Sequence, residues 1–67
     1  MFNKDKLIAF MNEKHLSAAE VARDLGVSSG MIRNITYGIK QPSLAMAVEF
    51  SDMIGCTVED LVIRERI

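Results

Sequence analysis

The polar side chains whose types and spacing suit chemistry gather between Ser28 and Gln41, SSGMIRNITYGIKQ. Asn34 and Arg33 stand side by side. An asparagine amide can pair bidentately with adenine, and a guanidinium can reach guanine or a phosphate. Ser28 and Ser29 fall where a helix start leaves backbone N–H groups free, a setting that suits a phosphate. Tyr37, Lys40 and Gln41 follow, placed for a nucleic-acid backbone beyond the helix. The means for catalysis are missing by comparison. His15 has no second histidine to complete a metal or acid–base site. Cys56 is alone, which rules out an internal disulfide and a cysteine-rich zinc site, and it is expected to pack near the last loop rather than react. The spacing from Gly26 to Gly30 is not GxGxxG. Asp24, Glu49, Asp52, Glu59 and Asp60 are spread along helix exteriors as solvated charges. A chain this short also has little room for an enclosed pocket. No enzyme activity, cofactor, metal or small-molecule substrate is expected.

The elements that must position these residues are helical, since no sustained period-2 alternation occurs anywhere in the chain. Leu7, Phe10 and Met11 fall on one face of a first helix from Asn3, its cap, to Lys14, with Ile8 partly exposed. His15 follows where a left-handed helix end is expected. Ser17 with Glu20 three residues on has the capping-box spacing, and it starts a second helix that turns Val21, Ala22 and Leu25 inward. A tight link through Gly26 leads to a third helix capped by Ser28 and ended by Gly38. The two run over about 17–25 and 28–37. A pair joined this way holds its second helix out as a probe. With Ile32 and Ile35 inward, a step of about 100° per residue directs Ser29, Gly30, Arg33, Asn34 and Tyr37 outward. Ser43 caps a fourth helix, Leu44 to Ile54, with a stripe at Leu44, Ala47, Val48 and Ile54 and further apolar surface at Met46, Phe50 and Met53. Thr57 is expected to cap a fifth helix, turning Val58, Leu61 and Val62 inward. The reading is an all-α fold, a compact five-helix bundle in a single domain over 1–67. Its expected core is Leu7, Phe10, Leu16, Val21, Ala22, Leu25, Ile32, Ile35, Leu44, Ala47, Phe50, Ile54, Leu61 and Val62.

The composition is 49% hydrophobic and 25% charged, with a net charge of −1, globular rather than disordered. A slight acidic balance counts against a nucleic-acid binder, for which a basic footprint is the usual sign. Distribution matters more than the sum, because a small basic face on an acidic body still meets phosphates. No apolar run approaches the roughly 18 residues of a membrane span, and MFNKDKL is unlike a signal peptide. A cytoplasmic protein with no membrane partner is expected.

Residues 16–62, LSAAEVARDLGVSSGMIRNITYGIKQPSLAMAVEFSDMIGCTVEDLV, resemble the helix-turn-helix DNA-binding domain of the phage repressor and Cro (XRE) family. Leu16-Ser17, Ala22 before Leu25-Gly26-Val27-Ser28, the Ile32 and Ile35 pair, Gly38, Pro42-Ser43-Leu44, Gly55 and Val58-Glu59-Asp60-Leu61 carry it. The similarity spans about residues 5 to 62 without insertions. It implies that the third helix lies in the major groove of double-stranded DNA and that the protein binds a two-fold operator as a homodimer. The outward set then coincides with the family's base and phosphate contacts: Ser28, Ser29, Gly30, Arg33, Asn34, Tyr37, Lys40 and Gln41, with Lys14 and Arg23 extending the footprint.

The chain also departs from the family. Ala18 stands where glutamine is frequent and loses a phosphate contact. Gly30 offers no side chain at a position used to read bases; it weakens the helix, or lets it approach the groove closely. Met11 and Thr36 replace an arginine–glutamate pair, a change often neutral for stability. The set for direct readout is therefore small, centred on Asn34 and Arg33. Apolar residues in excess of what so small a monomer can bury, Met46, Met53, Ile63 and Ile67 with Val48, point to a dimer contact. Two functions follow: a sequence-specific transcriptional regulator, expected to repress, or a protein-interaction module that keeps the fold and has lost specific DNA binding.

Overall fold

The computed structural model describes residues 1–63. Four α-helices follow one another, α1 Lys4–Lys14, α2 Ala18–Leu25, α3 Ser29–Thr36 and α4 Leu44–Ile54, and a single 3-10 turn, Glu59–Leu61, closes the described chain. The boundaries follow the caps. Asn3, Ser17, Ser28 and Ser43 each accept, through the side chain, a backbone N–H of the first turn of their helix. At Ser17 the capping box is complete in both directions with Glu20. His15 takes the left-handed conformation at φ 55°, ending α1 as the sequence predicts.

Where a fifth helix was expected there is only the 3-10 turn. The residue at its N-cap is Val58 rather than Thr57, although Thr57 still pairs with the turn: the Asp60 N–H donates to Thr57 Oγ1 at 3.3 Å, and the Thr57 N–H to Asp60 Oδ2 at 3.2 Å. The chain then turns extended at Val62 because that residue pairs with the N-terminus instead of continuing a helix. Phe2 and Val62 form an antiparallel bridge, with the Asn3 N–H on Leu61 O and the Ile63 N–H on Met1 O, each at 2.7 Å. Pairing of this kind was not expected from the sequence.

The core is Phe2, Leu7, Val21, Ala22, Ile32, Ile35, Phe50 and Leu61, with Leu16, Leu25, Met46, Met53, Ile54 and Cys56 among the half-buried residues packed on it. Cys56 packs beside the last loop as expected. Three core assignments are corrected. Leu44 is 75% exposed, because the inward arc of α4 runs through Ala47, Phe50 and Ser51 and leaves the Leu44–Val48 row on its flank. Ser51 is tolerated within that arc because its hydroxyl donates to the Val48 carbonyl at 2.6 Å. Val62 is exposed, since the bridge fixes its backbone and not a helical face. Phe10 is only half-buried. Phe2, which carries no helical pattern, is buried instead, its ring 5.4 Å from that of Phe50 and tilted by 39°.

Candidate nucleic-acid interface

α2 and α3 make the densest helix contact of the fold, and the link between them is tightly fixed. Gly26 sits at φ 70°, a region open to glycine and costly for a side chain. Its N–H returns to α2, and the Val27 N–H donates to Ala22 O at 2.9 Å, closing the helix end. Ser28 then caps α3 by accepting the Met31 N–H at 3.2 Å. The Ser28 hydroxyl is thus occupied in starting the helix. What faces outward for an anion are the N–H groups of Ser29 and Gly30, which precede the first helical bond.

Ile32 and Ile35 are buried at 0% and 2% exposure and fix the rotation of α3. Arg33, Asn34 and Tyr37 are exposed, with Ser29 and Gly30 intermediate at the margin. The predicted outward set is brought together on one side of one helix. Arg33 Nη2 donates to Ser29 Oγ at 3.3 Å, one turn back, which draws the guanidinium along the helix towards its N-terminal end. The Asn34 side-chain amide makes no hydrogen bond among the described residues, so both its donor and its acceptor are available. Its backbone carbonyl receives the N–H groups of Ile39 at 2.9 Å and Lys40 at 3.2 Å, tying the following loop to the helix. A cleft between that loop and α3 and α4 is lined by Met31, Ile35, Lys40, Gln41, Pro42 and Met46.

Gln41 is placed differently from the others. Its Oε1 accepts the Phe2 N–H at 2.8 Å, which commits the carbonyl end of the side chain to the N-terminal segment. Tyr37 is exposed yet forms one wall of a groove with Ile8, Met11, Asn12, Leu16 and Thr36. Met11 and Thr36, noted above as replacing an ion pair, thus meet in an open apolar groove, and the Thr36 hydroxyl is satisfied by the Arg33 carbonyl at 2.8 Å. Ile39, exposed to 73%, had no assigned role in the sequence reading. Lys14 and Arg23 are both exposed.

The charges are segregated along the chain. From Leu25 to Val48 there is no Asp or Glu, while Arg33 and Lys40 fall within that stretch; from Gln41 to Ile63 there are four acidic residues and no Lys or Arg. The net charge of −1 is therefore set by the α4 side, and the outward side of α3 carries only positive charge. In water such a face attracts polyanions whatever the sign of the whole. Among the described residues no group of His, Cys, Asp and Glu is arranged to hold a metal ion, and no helix is long and apolar enough to cross a membrane.

No curated protein matches the chain. The sequence pattern of the helix-turn-helix family matches residues 7–61, a span that runs from the first buried leucine of α1 to the buried Leu61 after α4. The chain belongs to the XRE family of helix-turn-helix DNA-binding regulators.

Proposed function

We propose that the protein is a sequence-specific transcriptional regulator, acting as a repressor, that places α3 in the major groove of a two-fold operator as a homodimer in the cytoplasm. The observation that carries this reading is the outward face of α3. Arg33 and Asn34 are exposed side by side, the amide of Asn34 is unengaged, and no carboxylate lies within the stretch. Asn34 reads adenine, Arg33 reads guanine or holds a phosphate, and the Ser29 and Gly30 N–H groups bind a phosphate at the helix start. Lys40 and Tyr37 meet the sugar–phosphate backbone and supply affinity without sequence information.

Band-shift titration on the promoter region of its own gene, at two salt concentrations, tests the assignment. Asn34→Ala and Arg33→Ala each lower specific affinity by about 1–3 kcal/mol if they contact bases. Lys40→Ala weakens binding on every sequence and flattens the salt dependence. Wild-type affinity in both the Asn34 and the Arg33 variants sinks the reading face.

The acidic and partly apolar side of α4 favours a second reading, a protein-interaction module that keeps the fold without specific DNA binding. No retention on DNA at low salt, together with a stable complex with another protein, decides for it. The acid-free face of α3 stands against it.

A further inference from the structure

The cleft between α3, α4 and the loop that joins them has a volume of about 280 Å³, just under the roughly 300–1,000 Å³ of ordinary ligand pockets. Met31 and Ile35 from α3, Pro42 from the loop and Met46 from α4 make its surface apolar. Lys40, Gln41 and Ser43 share its wall, and each of them offers a donor. Lys40 is exposed and has no ion-pair partner among the described residues. The Gln41 carbonyl is taken by the Phe2 N–H, which can only donate, so the free end of that amide is its NH2 group. The Ser43 hydroxyl accepts the Met46 N–H at 3.2 Å and keeps its own hydrogen to give. No Asp or Glu lines the cleft. We propose that this cleft binds a small aromatic carboxylate, its ring on the two methionines and its carboxylate on Lys40 and the Gln41 NH2 group.

The chemistry of the wall selects this class of ligand. Side-chain donors with one full positive charge and no carboxylate call for an anionic head group, which makes the stronger, charge-assisted bonds. Two thioethers on an apolar floor favour an aromatic body, because methionine sulfur packs well against ring edges and adapts to their shape. The grooves beside Tyr37 and beside Leu44 contain no charged side chain and lack this complement. Met46 and Met53, expected from the sequence at a dimer contact, pack against the core instead, while Ile63 is exposed and Ile67 lies outside the described residues. The site rests on the regulator reading above for one consequence only. Arg33 and Lys40 are the only charges between Leu25 and Val48, so a carboxylate held on Lys40 takes one of the two cations away from phosphate and weakens DNA binding.

Titration of phenylacetate into the full chain without DNA, followed by NMR of isotope-labelled methionine methyl groups, provides the test. The methionines divide among the grooves: Met31 and Met46 line this cleft, Met11 the groove beside Tyr37, and Met1 the groove beside Leu44. Saturable shifts are expected at Met31 and Met46, with Met1 and Met11 unmoved. Phenylacetamide keeps the ring and loses the charge, and it is expected to bind about fivefold more weakly, as suits one exposed charge contact. In Lys40→Gln the two compounds bind alike, and the melting temperature stays near wild type because the position is exposed. Shifts led by Met1 or Met11, shifts that never saturate, or phenylacetamide binding as tightly as phenylacetate each overturn the proposal. Band-shift titration with phenylacetate near saturation is expected to show weaker DNA binding for the wild type and no change for Lys40→Gln. A protein that binds phenylacetate at Met31 and Met46 and retains no DNA instead overturns the operator reading and leaves this site standing.

Discussion

The backbone N–H of Phe2 donates to the side-chain carbonyl of Gln41 at 2.8 Å, joining the N-terminal segment to the loop that follows α3. The same segment is bridged to Val62, and its ring packs on Phe50. On the other side of the loop, a Cβ added at Gly38 would come 3.1 Å from Lys4 Cε, so the Lys4 stem lies over the turn that ends α3. Residues far apart in sequence thus brace the segment carrying Lys40, and Gln41 serves the fold at least as directly as it could serve a phosphate.

Gln41→Ala leaves the half-buried Phe2 N–H unpaired and is expected to cost about 1–2 kcal/mol in urea denaturation. Gln41→Glu keeps an acceptor and recovers most of that stability, yet it sets a negative charge beside the loop and lowers DNA affinity. The two readouts therefore separate bracing from phosphate contact. A Gln41→Ala variant as stable as wild type contradicts the bracing role.

What the sequence made legible was local. The four N-caps, the capping box at Ser17 and Glu20, the left-handed His15 and the inward pair Ile32 and Ile35 all follow from side chains acting within one turn, and each is in place. The family could be recognised because that local grammar has fixed spacing. What escaped was non-local. Phe2 has no periodic neighbours to mark it as core, and its burial depends on a bridge to a residue at the other end of the chain. The orientation of α4 was misread for a related reason. Apolar residues lie on most of its sides, so spacing alone could not tell the Ala47–Phe50 arc from the Leu44–Val48 row. The fifth helix is absent because three residues of 3-10 turn lead directly into that bridge. The charge pattern is legible too: no Asp or Glu falls between Leu25 and Val48, so α3 and the loop after it carry only Arg33 and Lys40 as charges.

Asp60 gives the fold an acid-sensitive end. Its carboxyl is held below the ordinary aspartate range, first by the hydrogen bond from the Thr57 backbone N–H, then by the Thr57 hydroxyl and by the charge of Lys6. A carboxylate with a lowered pKa in the folded state contributes stability that is fully present above its unfolded value of about 3.9 and is lost as the pH falls through the folded value. Urea midpoints measured at pH 7 and near pH 3 are expected to show a smaller acid-induced loss for Asp60→Asn than for wild type. The effect is modest and shrinks with salt, because the group is exposed. Equal losses in the two proteins remove Asp60 from the acid response.

Gly30 separates the stability of α3 from its fit to DNA. A Cβ built there meets no atom within 4 Å, and the position lies within the first turn on the outward side of the helix. Within the protein alone, Gly30→Ala is therefore expected to stabilise by about 0.5–1 kcal/mol, since alanine loses less backbone entropy in a helix. With α3 in the major groove as proposed, the same methyl group would stand between the helix backbone and the groove wall. If the missing side chain is what lets the helix approach closely, an added methyl overpacks that contact by about 1–3 kcal/mol. Thermal melting of the free protein and a band-shift titration of the same variant should move in opposite directions, the first upward and the second towards weaker binding. A variant that gains stability and binds the operator as tightly as wild type shows that Gly30 is not at the closest approach. In that case recognition rests on Arg33 and Asn34, with the helix start held farther from the groove.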